Sequence, residues 1–330
     1  MDDMGERPPL GIRLLSAVQK EPDWAAMTGE ELVTFREAVN RRQGSRSARL
    51  ITGFPDRGVS IGWQDVALPD RVVPVRVYRP SSDHGSGPLV LHVHGGGFVG
   101  TAAQCDWVNS HLAARLRAVV VSVEHRLLDP GTSLPPAVDD AWDVLRHVVS
   151  NAADWRVDPA RTAVFGESTG ALITALVAIR AREHGPALAA QVLVNPVVDL
   201  TEAGFDHDST TRHADSPTLT VARMRLLQRL AVPPGTDPRA LSPLHADDLN
   251  GLAPALVVVP TVDPLADHGR RYAERLLEAG TPARLTEHPG ATHAFLSMPG
   301  VVSQAKAART AITEFLGDHL AVTVPKAAWT

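Results

Sequence analysis

The chain contains 330 residues, of which 44% are hydrophobic and 21% are charged, and its formal net charge is −5. This length allows one large α/β domain or two small ones, and the composition is typical of a globular protein with a buried core. Because no acidic or basic block interrupts the sequence, the charge pattern argues against a nucleic-acid partner and against an anionic membrane surface.

The first 50 residues show a helical pattern and stand apart from the rest of the chain. Residues 28–31 read Thr-Gly-Glu-Glu, which fits a capping box at a helix start. Apolar residues at helical spacing follow, and an earlier segment shows the same spacing: Leu32, Phe35 and Val39, and before them Ile12, Leu15 and Val18. The region is interpreted either as a helical extension or as a lid that covers a site.

No segment of the sequence resembles a targeting signal or a membrane span. Residues 1–20 carry mixed charges and two prolines instead of a continuous apolar core. No apolar run approaches the roughly 18 residues that a transmembrane helix needs. We therefore expect a cytoplasmic protein.

From about residue 60 the pattern changes to short apolar runs that alternate with helical segments. Residues 73–79 alternate in polarity, and Pro74 within them predicts an edge strand because proline cannot donate to the ladder. Buried strands are predicted at 89–93, 119–123, 162–165, 191–194, 255–259 and 284–287. Helices are predicted at 105–116, 135–149, 171–182, 267–279 and 303–320. Such alternation predicts an α/β fold with a parallel sheet covered on both faces.

One long insertion breaks this alternation. About 60 residues separate the strands at 191–194 and 255–259, which is more than a doubly wound sheet needs to connect two strands. The insertion includes a polar stretch at 201–216 and a helical segment at 221–230. We assign it to a lid, and the chain then divides into an N-terminal helical cap segment (1–50), a core (51–200), a cap insertion (201–235) and the remainder of the core (236–330).

The pentad Gly-Glu-Ser-Thr-Gly at 166–170 stands between a predicted strand and a predicted helix. In this context the glycines leave room for the helix to pack on the strand, and the serine hydroxyl lies at a helix N-terminus, which favours developing negative charge. Ser168 is therefore the candidate nucleophile. A second Gly-x-Ser-x-Gly pattern surrounds Ser60, but it lacks the preceding strand and the following helix, so we interpret Ser60 as part of a strand or turn.

Three successive glycines at 95–97 lie between His94 and Phe98, directly after the strand predicted at 89–93. Glycine lets the backbone approach a ligand closely and point N–H groups at it, as an oxyanion hole requires. The alternatives are a flexible glycine turn and a phosphate loop. No Gly-Lys-Ser/Thr follows as in a Walker loop, and no acidic residue ends a second strand about 20 residues on, as a dinucleotide-binding fingerprint would need. The pattern favours the oxyanion hole.

Two other features near this loop could suggest a metal or redox site. His92 and His94 share one face of the predicted strand, but no nearby carboxylate or cysteine completes a set of metal ligands, so we expect no metal. The single cysteine, Cys105, excludes an internal disulfide and a multi-cysteine metal site. Its place near a helix start favours a small packing residue over a reactive thiol.

An acid and a base follow two later predicted strands. Asp263 comes just beyond the strand at 255–259, although an Asp before a proline is on its own equally a turn former. His293 lies inside the next loop and is the better base, whereas His288 is expected to cap the strand before it. The order Ser168, Asp263, His293 is that of α/β-hydrolases. It predicts that His293 accepts the Ser168 proton and that Asp263 orients and stabilises the imidazolium.

On these residues the chain resembles the hormone-sensitive-lipase-like carboxylesterases, which are arylesterase-like α/β-hydrolases. The resemblance covers nearly the whole chain from about residue 60, and it is carried by His-Gly-Gly-Gly-Phe at 94–98, His-Arg-Leu at 125–127, Leu-Pro-Pro-Ala-Val-Asp-Asp at 134–140, Asp-Pro-Ala-Arg at 158–161, Asp-Pro-Leu at 263–265 and Gly-x-x-His-x-Phe at 290–295. The family's pentad usually reads Gly-Asp-Ser-Ala-Gly followed by Gly. Glu167, Thr169, Ala171 and His125 depart from the family pattern, and they bear on the substrate rather than on the triad.

The resemblance implies an eight-stranded, mostly parallel sheet under a cap, and an esterase for carboxylic esters of small or medium acyl chain that works through an acyl-enzyme. It also implies the residues whose N–H groups form the oxyanion hole, namely Gly95, Gly96, Gly97 and Thr169. No cofactor is expected, the partner is a small-molecule ester, and a homodimer follows only by analogy. Phe98, Trp107 and Leu296 are predicted to line the substrate pocket.

Relatives with other activities leave three alternatives open. The first is an N-acyl amide hydrolase that uses the same triad, and the second is a lyase or cyclase that acts on a natural product. The third is a non-catalytic small-molecule receptor, against which the retained His293 argues.

Overall fold

The computed structural model describes residues 7–17, 21–81 and 85–321, and its centre is a large sheet. The strands in chain order are β1 (Val59–Ala67), β2 (Val72–Pro80), β3 (Gly87–Val93), β4 (Val119–Val123), β5 (Val157–Glu167), β6 (Ala190–Val194), β7 (Asp215–Ser216), β8 (Leu219–Thr220), β9 (Ala255–Val262) and β10 (Ala283–Thr292). Eight of them form the main sheet in the order β1-β2-β4-β3-β5-β6-β9-β10, in which only β2 runs against the others. The predicted α/β fold is confirmed.

Helices cover both faces of this sheet. They are α1 (Leu10–Ala17), α2 (Gly29–Gln43), α3 (Arg49–Thr52), α4 (Asp106–Leu116), α5 (Leu134–Ser150), α6 (Ala152–Trp155), α7 (Thr169–His184), α8 (Asp208–Arg212), α9 (Val221–Ala231), α10 (Ala266–Glu278) and α11 (Gln304–His319). Helices α4 and α11 pack on one face, and α5, α7 and α10 pack on the other. None of the described helices combines the length and the apolar character that crossing a bilayer requires.

The central strands consist mostly of apolar residues because both of their faces are covered, and their few polar side chains, such as His92 in β3, are buried as well. In β3, for example, Val90 packs in the cluster that contains α4 and α11, whereas Leu89 and Leu91 pack in the cluster that contains α5 and α7. Successive side chains of a strand point to opposite faces, so a strand between two helical layers favours apolar residues on both faces.

Two strand predictions are wrong in detail. The segment at 73–79 is not an edge strand, because β2 pairs with β1 on one side and β4 on the other. Its ladder with β4 begins only at Val75, and Pro74 contributes its carbonyl to the Glu124 N–H at 3.0 Å, so no proline N–H is needed there. His288 does not cap a strand either, since β10 continues past it to Thr292 with an irregularity between the two residues.

The N-terminal segment and the insertion meet over the carboxyl end of the sheet. The predicted capping box is present, because the Thr28 hydroxyl accepts the Glu31 N–H and the Glu31 carboxylate accepts the Thr28 N–H. Trp24 and Leu32 share a core cluster with the buried residues of α9. The earlier predicted helix is α1, in which Ile12 is buried; Val18 lies outside the described residues.

Candidate active site

Ser168 lies in the turn between β5 and α7, with backbone angles of φ 57° and ψ −120°. A non-glycine residue in this conformation is strained and persists only where its surroundings impose it. The two glycines of the pentad provide those surroundings. A Cβ on Gly166 would stand 2.2 Å from the Gly170 carbonyl oxygen, and one on Gly170 would stand 2.2 Å from the Val93 carbonyl oxygen. Only glycine therefore lets α7 approach β5 and β3 so closely.

Ser168, His293 and Asp263 form one hydrogen-bonded chain. The Ser168 Oγ lies 2.8 Å from His293 Nε2, and His293 Nδ1 lies 2.8 Å from Asp263 Oδ2. Asp263 is fully buried, and its other oxygen accepts the Leu265 N–H at 2.9 Å. A buried carboxylate beside Nδ1 favours the tautomer that carries the proton there, which leaves Nε2 free to accept the serine proton.

The strand order explains how the three residues meet. Ser168, Asp263 and His293 each follow the carboxyl end of a strand, namely β5, β9 and β10. Strand β6 lies between β5 and β9, so Asp263 is not next to Ser168 and reaches it only through His293.

The glycine loop follows β3 and runs beside the Ser168 turn. Gly96 and Gly97 have φ values of 117° and 61°, which favour glycine. A Cβ on Gly95 would lie 2.9 Å from the Glu167 carbonyl oxygen and 3.4 Å from Ser168 Cβ, and one on Gly97 would lie 3.0 Å from Thr169 Oγ1. The loop backbone and the first turn of α7 are therefore in contact.

The amides of Gly96, Gly97 and Thr169 donate to no protein acceptor within the described part of the chain. Unpaired N–H groups that border a serine hydroxyl at a helix N-terminus can bind an anionic oxygen.

Two buried histidines support the glycine loop from behind. The rings of His94 and His125 stack with centroids 4.3 Å apart, and His125 Nε2 lies 3.3 Å from the His94 carbonyl oxygen. Burial lowers the pKa of both imidazoles to about 4, so both are neutral at pH 7. His92 contacts Ser122 and Asn109 instead. Among the described residues, no group of three or more His, Cys, Asp or Glu side chains is arranged to hold a metal ion.

Glu167 is a buried carboxylate directly before Ser168, and the sequence marked it only as a departure from a family pattern. One carboxylate oxygen accepts the Ser297 hydroxyl, which ties the serine turn to the segment after His293, and Oε1 has no hydrogen-bond partner. Burial raises the pKa of Glu167. Burial also raises the pKa of the neighbouring Cys105 thiol well above its usual value, which keeps it protonated and unreactive.

The three predicted pocket residues are not brought together. Phe98 lies in the cluster that contains Trp24 and the buried residues of α9, where its ring is 5.8 Å from that of Trp24. Trp107 and Leu296 belong to the cluster with α4 and α11, and the Arg309 guanidinium stacks 3.7 Å from the centroid of Trp107. Their pocket role remains a prediction.

Helix α9 packs on the glycine loop, a contact that the sequence did not identify. A Cβ on Gly97 would stand 2.5 Å from Leu227 Cδ1, so Leu227 of α9 packs directly on the glycine loop. An apolar cavity of about 10 Å³, roughly the space of one water molecule, lies between α9 and the segment that follows Asp263, and Met224, Leu227 and Leu265 are among its lining residues.

Comparison with known proteins gives concordant matches. The model of a family described as alpha/beta hydrolase fold matches residues 90–297. An ethyl acetate hydrolase of Pseudomonas putida is 34% identical over 291 residues, which cover 85% of this chain and 89% of that protein. The carboxylesterase NlhH of Mycobacterium tuberculosis is 38% identical over 242 residues, which cover 71% of this chain and 74% of that protein. The solved structure of the ester-hydrolase EH1AB1 from the metagenome of Lake Arreo has a TM-score of 0.84 at 30% identity, and the match covers 96% of this chain and 100% of that one.

Proposed function

This chain belongs to the alpha/beta hydrolase family, in its hormone-sensitive-lipase-like group, and we propose that it hydrolyses small carboxylic esters with Ser168, His293 and Asp263 as its catalytic triad. Carboxylic ester hydrolysis is the activity that the names of its relatives state. The observation that carries the assignment of the triad is the continuous chain of two 2.8 Å contacts that ends on a strained serine.

The triad performs acyl transfer in two steps. His293 Nε2 accepts the hydroxyl proton while Ser168 Oγ forms a bond to the ester carbonyl carbon, and the same proton is returned to the alcohol as its C–O bond breaks. Water then attacks the acyl-enzyme with His293 again as base, which releases the carboxylic acid and restores the serine. Asp263 is buried next to Nδ1, where it stabilises the imidazolium that forms in both steps.

The oxyanion of each tetrahedral intermediate is proposed to bind the N–H groups of Gly96, Gly97 and Thr169. These amides have no protein acceptor in the described residues, and Thr169 is the first residue of α7, where the helix dipole adds positive potential. Donors that are fixed before the reaction cost no reorganisation, and one such donor typically contributes about 10²–10³-fold to kcat. Gly95 is a further predicted donor, and its backbone packs closely against Glu167 and Ser168.

A short acyl chain fits the lid best. Leu227 packs on Gly97, so its side chain fills the space beside the glycine loop on the side of α9. Substrates therefore belong to the lower part of the small-to-medium range. We further propose that residues 1–50 and 201–235 act together as the lid, and the homodimer implied by analogy is tested by analytical ultracentrifugation.

The test is hydrolysis of p-nitrophenyl esters from acetate to decanoate by the wild type, Ser168→Ala and the matched control Ser60→Ala. Ser60 lies exposed in edge strand β1, where its hydroxyl donates to the Arg79 carbonyl, so its removal should change turnover less than twofold. Ser168→Ala should lower kcat by about 10⁴-fold or more in a folded protein.

Each contrary outcome has a distinct meaning. Activity that survives in Ser168→Ala and is lost in Ser60→Ala would refute the assignment of the nucleophile. A folded wild type without esterase turnover would refute the proposed reaction and direct product analysis toward amide hydrolysis, lyase chemistry or ligand binding alone.

A further inference from the structure

Helix α2 of the N-terminal segment contacts the outer side of the glycine loop through two polar side chains. The Arg36 guanidinium donates to the Phe98 carbonyl at 2.8 Å and to the Leu128 carbonyl at 2.6 Å. Asn40 accepts the Gly100 N–H at 2.8 Å and donates to the Gly100 carbonyl at 3.4 Å. Side chains from a segment about 60 residues away thus bind the loop by its backbone.

The Arg36 contacts continue directly to Gly96 and Gly97. The Phe98 N–H donates to the Gly96 carbonyl at 2.6 Å, and the Leu128 N–H donates to the Gly97 carbonyl at 2.9 Å. Phe98 and Leu128 therefore each connect Arg36 to the loop. The carbonyl of each residue accepts from Arg36, and its N–H group donates to the carbonyl of a loop glycine.

Because the peptide bond is planar, a hydrogen bond to a loop carbonyl also fixes the direction of the N–H group in the same peptide plane. The carbonyl of Gly96 and the N–H of Gly97 belong to one rigid plane, so a hydrogen bond to the first fixes the second. The Gly96 N–H shares its plane with the Gly95 carbonyl, which accepts from Gln104 Nε2 at 3.2 Å and lies 2.9 Å from His94 Nδ1. The proposed oxyanion donors Gly96 and Gly97 are thus oriented through the carbonyls that share their peptide planes.

The loop needs such external support because it cannot provide its own. Gly97 is the centre of a tight turn at φ 61°, closed by the Phe98 N–H on the Gly96 carbonyl, and turns of this hand are strained. Glycines bring no side chains to pack against neighbours. The Arg36 side chain is itself fixed, since it is only 17% exposed and forms an ion pair with Asp129 at 3.5 Å.

We propose that Arg36 and Asn40 are positioning residues of the esterase reaction, which hold the glycine loop in the geometry that stabilises the oxyanion. The proposal rests on the function proposed above for Gly96 and Gly97. Helix α2 then affects the reaction rate, because it fixes the position of the oxyanion donors. A displacement of about 1 Å at catalytic groups can cost about 10²-fold in rate.

The test compares Arg36→Lys and Asn40→Ala with the matched control Arg41→Ala, an exposed residue of the same helix. Arg36→Lys keeps the positive charge but loses the fork that binds two carbonyls. Each of the two variants should lower kcat for p-nitrophenyl acetate by about 10-fold with KM changed less than twofold, because only transition-state binding is affected. The control should retain the wild-type kcat.

A second readout uses butylboronic acid, which forms a tetrahedral adduct when Ser168 Oγ adds to boron and His293 takes the proton. One boron oxygen then occupies the proposed oxyanion position. The inhibition constant of butylboronic acid should rise in Arg36→Lys and Asn40→Ala by the same factor by which kcat falls. A side chain that only stabilises the fold would lower Tm without moving these two quantities together.

The outcomes separate this proposal from the proposed function. Unchanged kcat in folded variants, or a raised KM at constant kcat, would overturn the positioning role while the Ser168 dependence of the wild type remained intact. Activity that persists in Ser168→Ala would overturn the proposed function itself. If Asn40→Ala had a Tm below the assay temperature, the judgement would rest on Arg36→Lys.

Discussion

Truncation of Leu227 to alanine should shift the acyl preference toward longer chains. Leu227 is 8% exposed, packs on the Gly97 backbone and lines the cavity of about 10 Å³. The change removes three carbon atoms at the point where the lid meets the proposed oxyanion loop, and it leaves all hydrogen bonds of the triad in place.

The expected size follows from burial. Each methylene removed from water contributes about 0.8 kcal/mol, so an acyl chain that refills three carbon positions gains up to about 2.4 kcal/mol. This free energy corresponds to about 50-fold in kcat/KM. The ratio of kcat/KM for valerate over acetate should therefore rise by up to about 50-fold. The free energy of unfolding should fall by about 2–4 kcal/mol, since the new space is empty without substrate.

The assay is the p-nitrophenyl ester series with Leu226→Ala as the matched control. Leu226 is 4% exposed on the same helix, but it is not among the residues that line the cavity. The control should lose similar stability without a change in chain-length preference. An unchanged valerate-to-acetate ratio in Leu227→Ala, or an equal shift in Leu226→Ala, would refute the inference that Leu227 limits the acyl site.

Three further predictions concern the serine turn. Ser168→Ala and His293→Ala should each lower kcat by about 10⁴-fold or more, and the double variant should be little worse; additive losses would contradict a shared proton path. Gly170→Ala should destabilise the fold by about 1–3 kcal/mol or more, measured by urea unfolding, because its Cβ would lie 2.2 Å from the Val93 carbonyl oxygen; a neutral result would contradict the close packing. Burial raises the pKa of Glu167, so the folded protein binds this proton more tightly than the unfolded chain does. The proton therefore stabilises the fold at a pH below the unfolded pKa, and this stabilisation is lost as the pH rises through the folded pKa. The Tm of Glu167→Gln relative to wild type should therefore increase from pH 4 to pH 8, and a decrease would contradict this sign.

The sequence was most informative where a pattern is local. The strand–turn–helix around Ser168 and the glycines after β3 are short segments with a recognisable local pattern, and Gly166 illustrates it, since its Cβ would stand 2.2 Å from the Gly170 carbonyl oxygen. The order of the three triad candidates then follows from chain position alone. Such features need no knowledge of distant neighbours.

Errors arose where pairing or packing is decided by distant segments. Strand β10 continues past Pro289 and Gly290 because β9 pairs with it on both sides of them, at His288 and again at Thr292, although these residues read locally as a loop. Phe98 and Trp107 lie in clusters on opposite faces of the sheet, which nothing in their sequence spacing reveals. Likewise, the periodicity of α2 predicted its apolar face but not the contacts of Arg36 and Asn40 with the glycine loop.

Helices α2 and α9 contact that loop by different chemistry. Arg36 and Asn40 of α2 bind its backbone through polar groups, whereas Leu227 of α9 packs on Gly97 with a methyl group. Orientation of the N–H donors affects every ester alike, because each passes through the same oxyanion. Space beside Gly97 affects only esters whose acyl chain extends into it. The α2 variants should therefore lower kcat/KM by a constant factor across the series from acetate to decanoate, and Leu227→Ala should change the slope of that series. A chain-length dependence in Arg36→Lys or Asn40→Ala would mean that α2 shapes the acyl site instead of the oxyanion site.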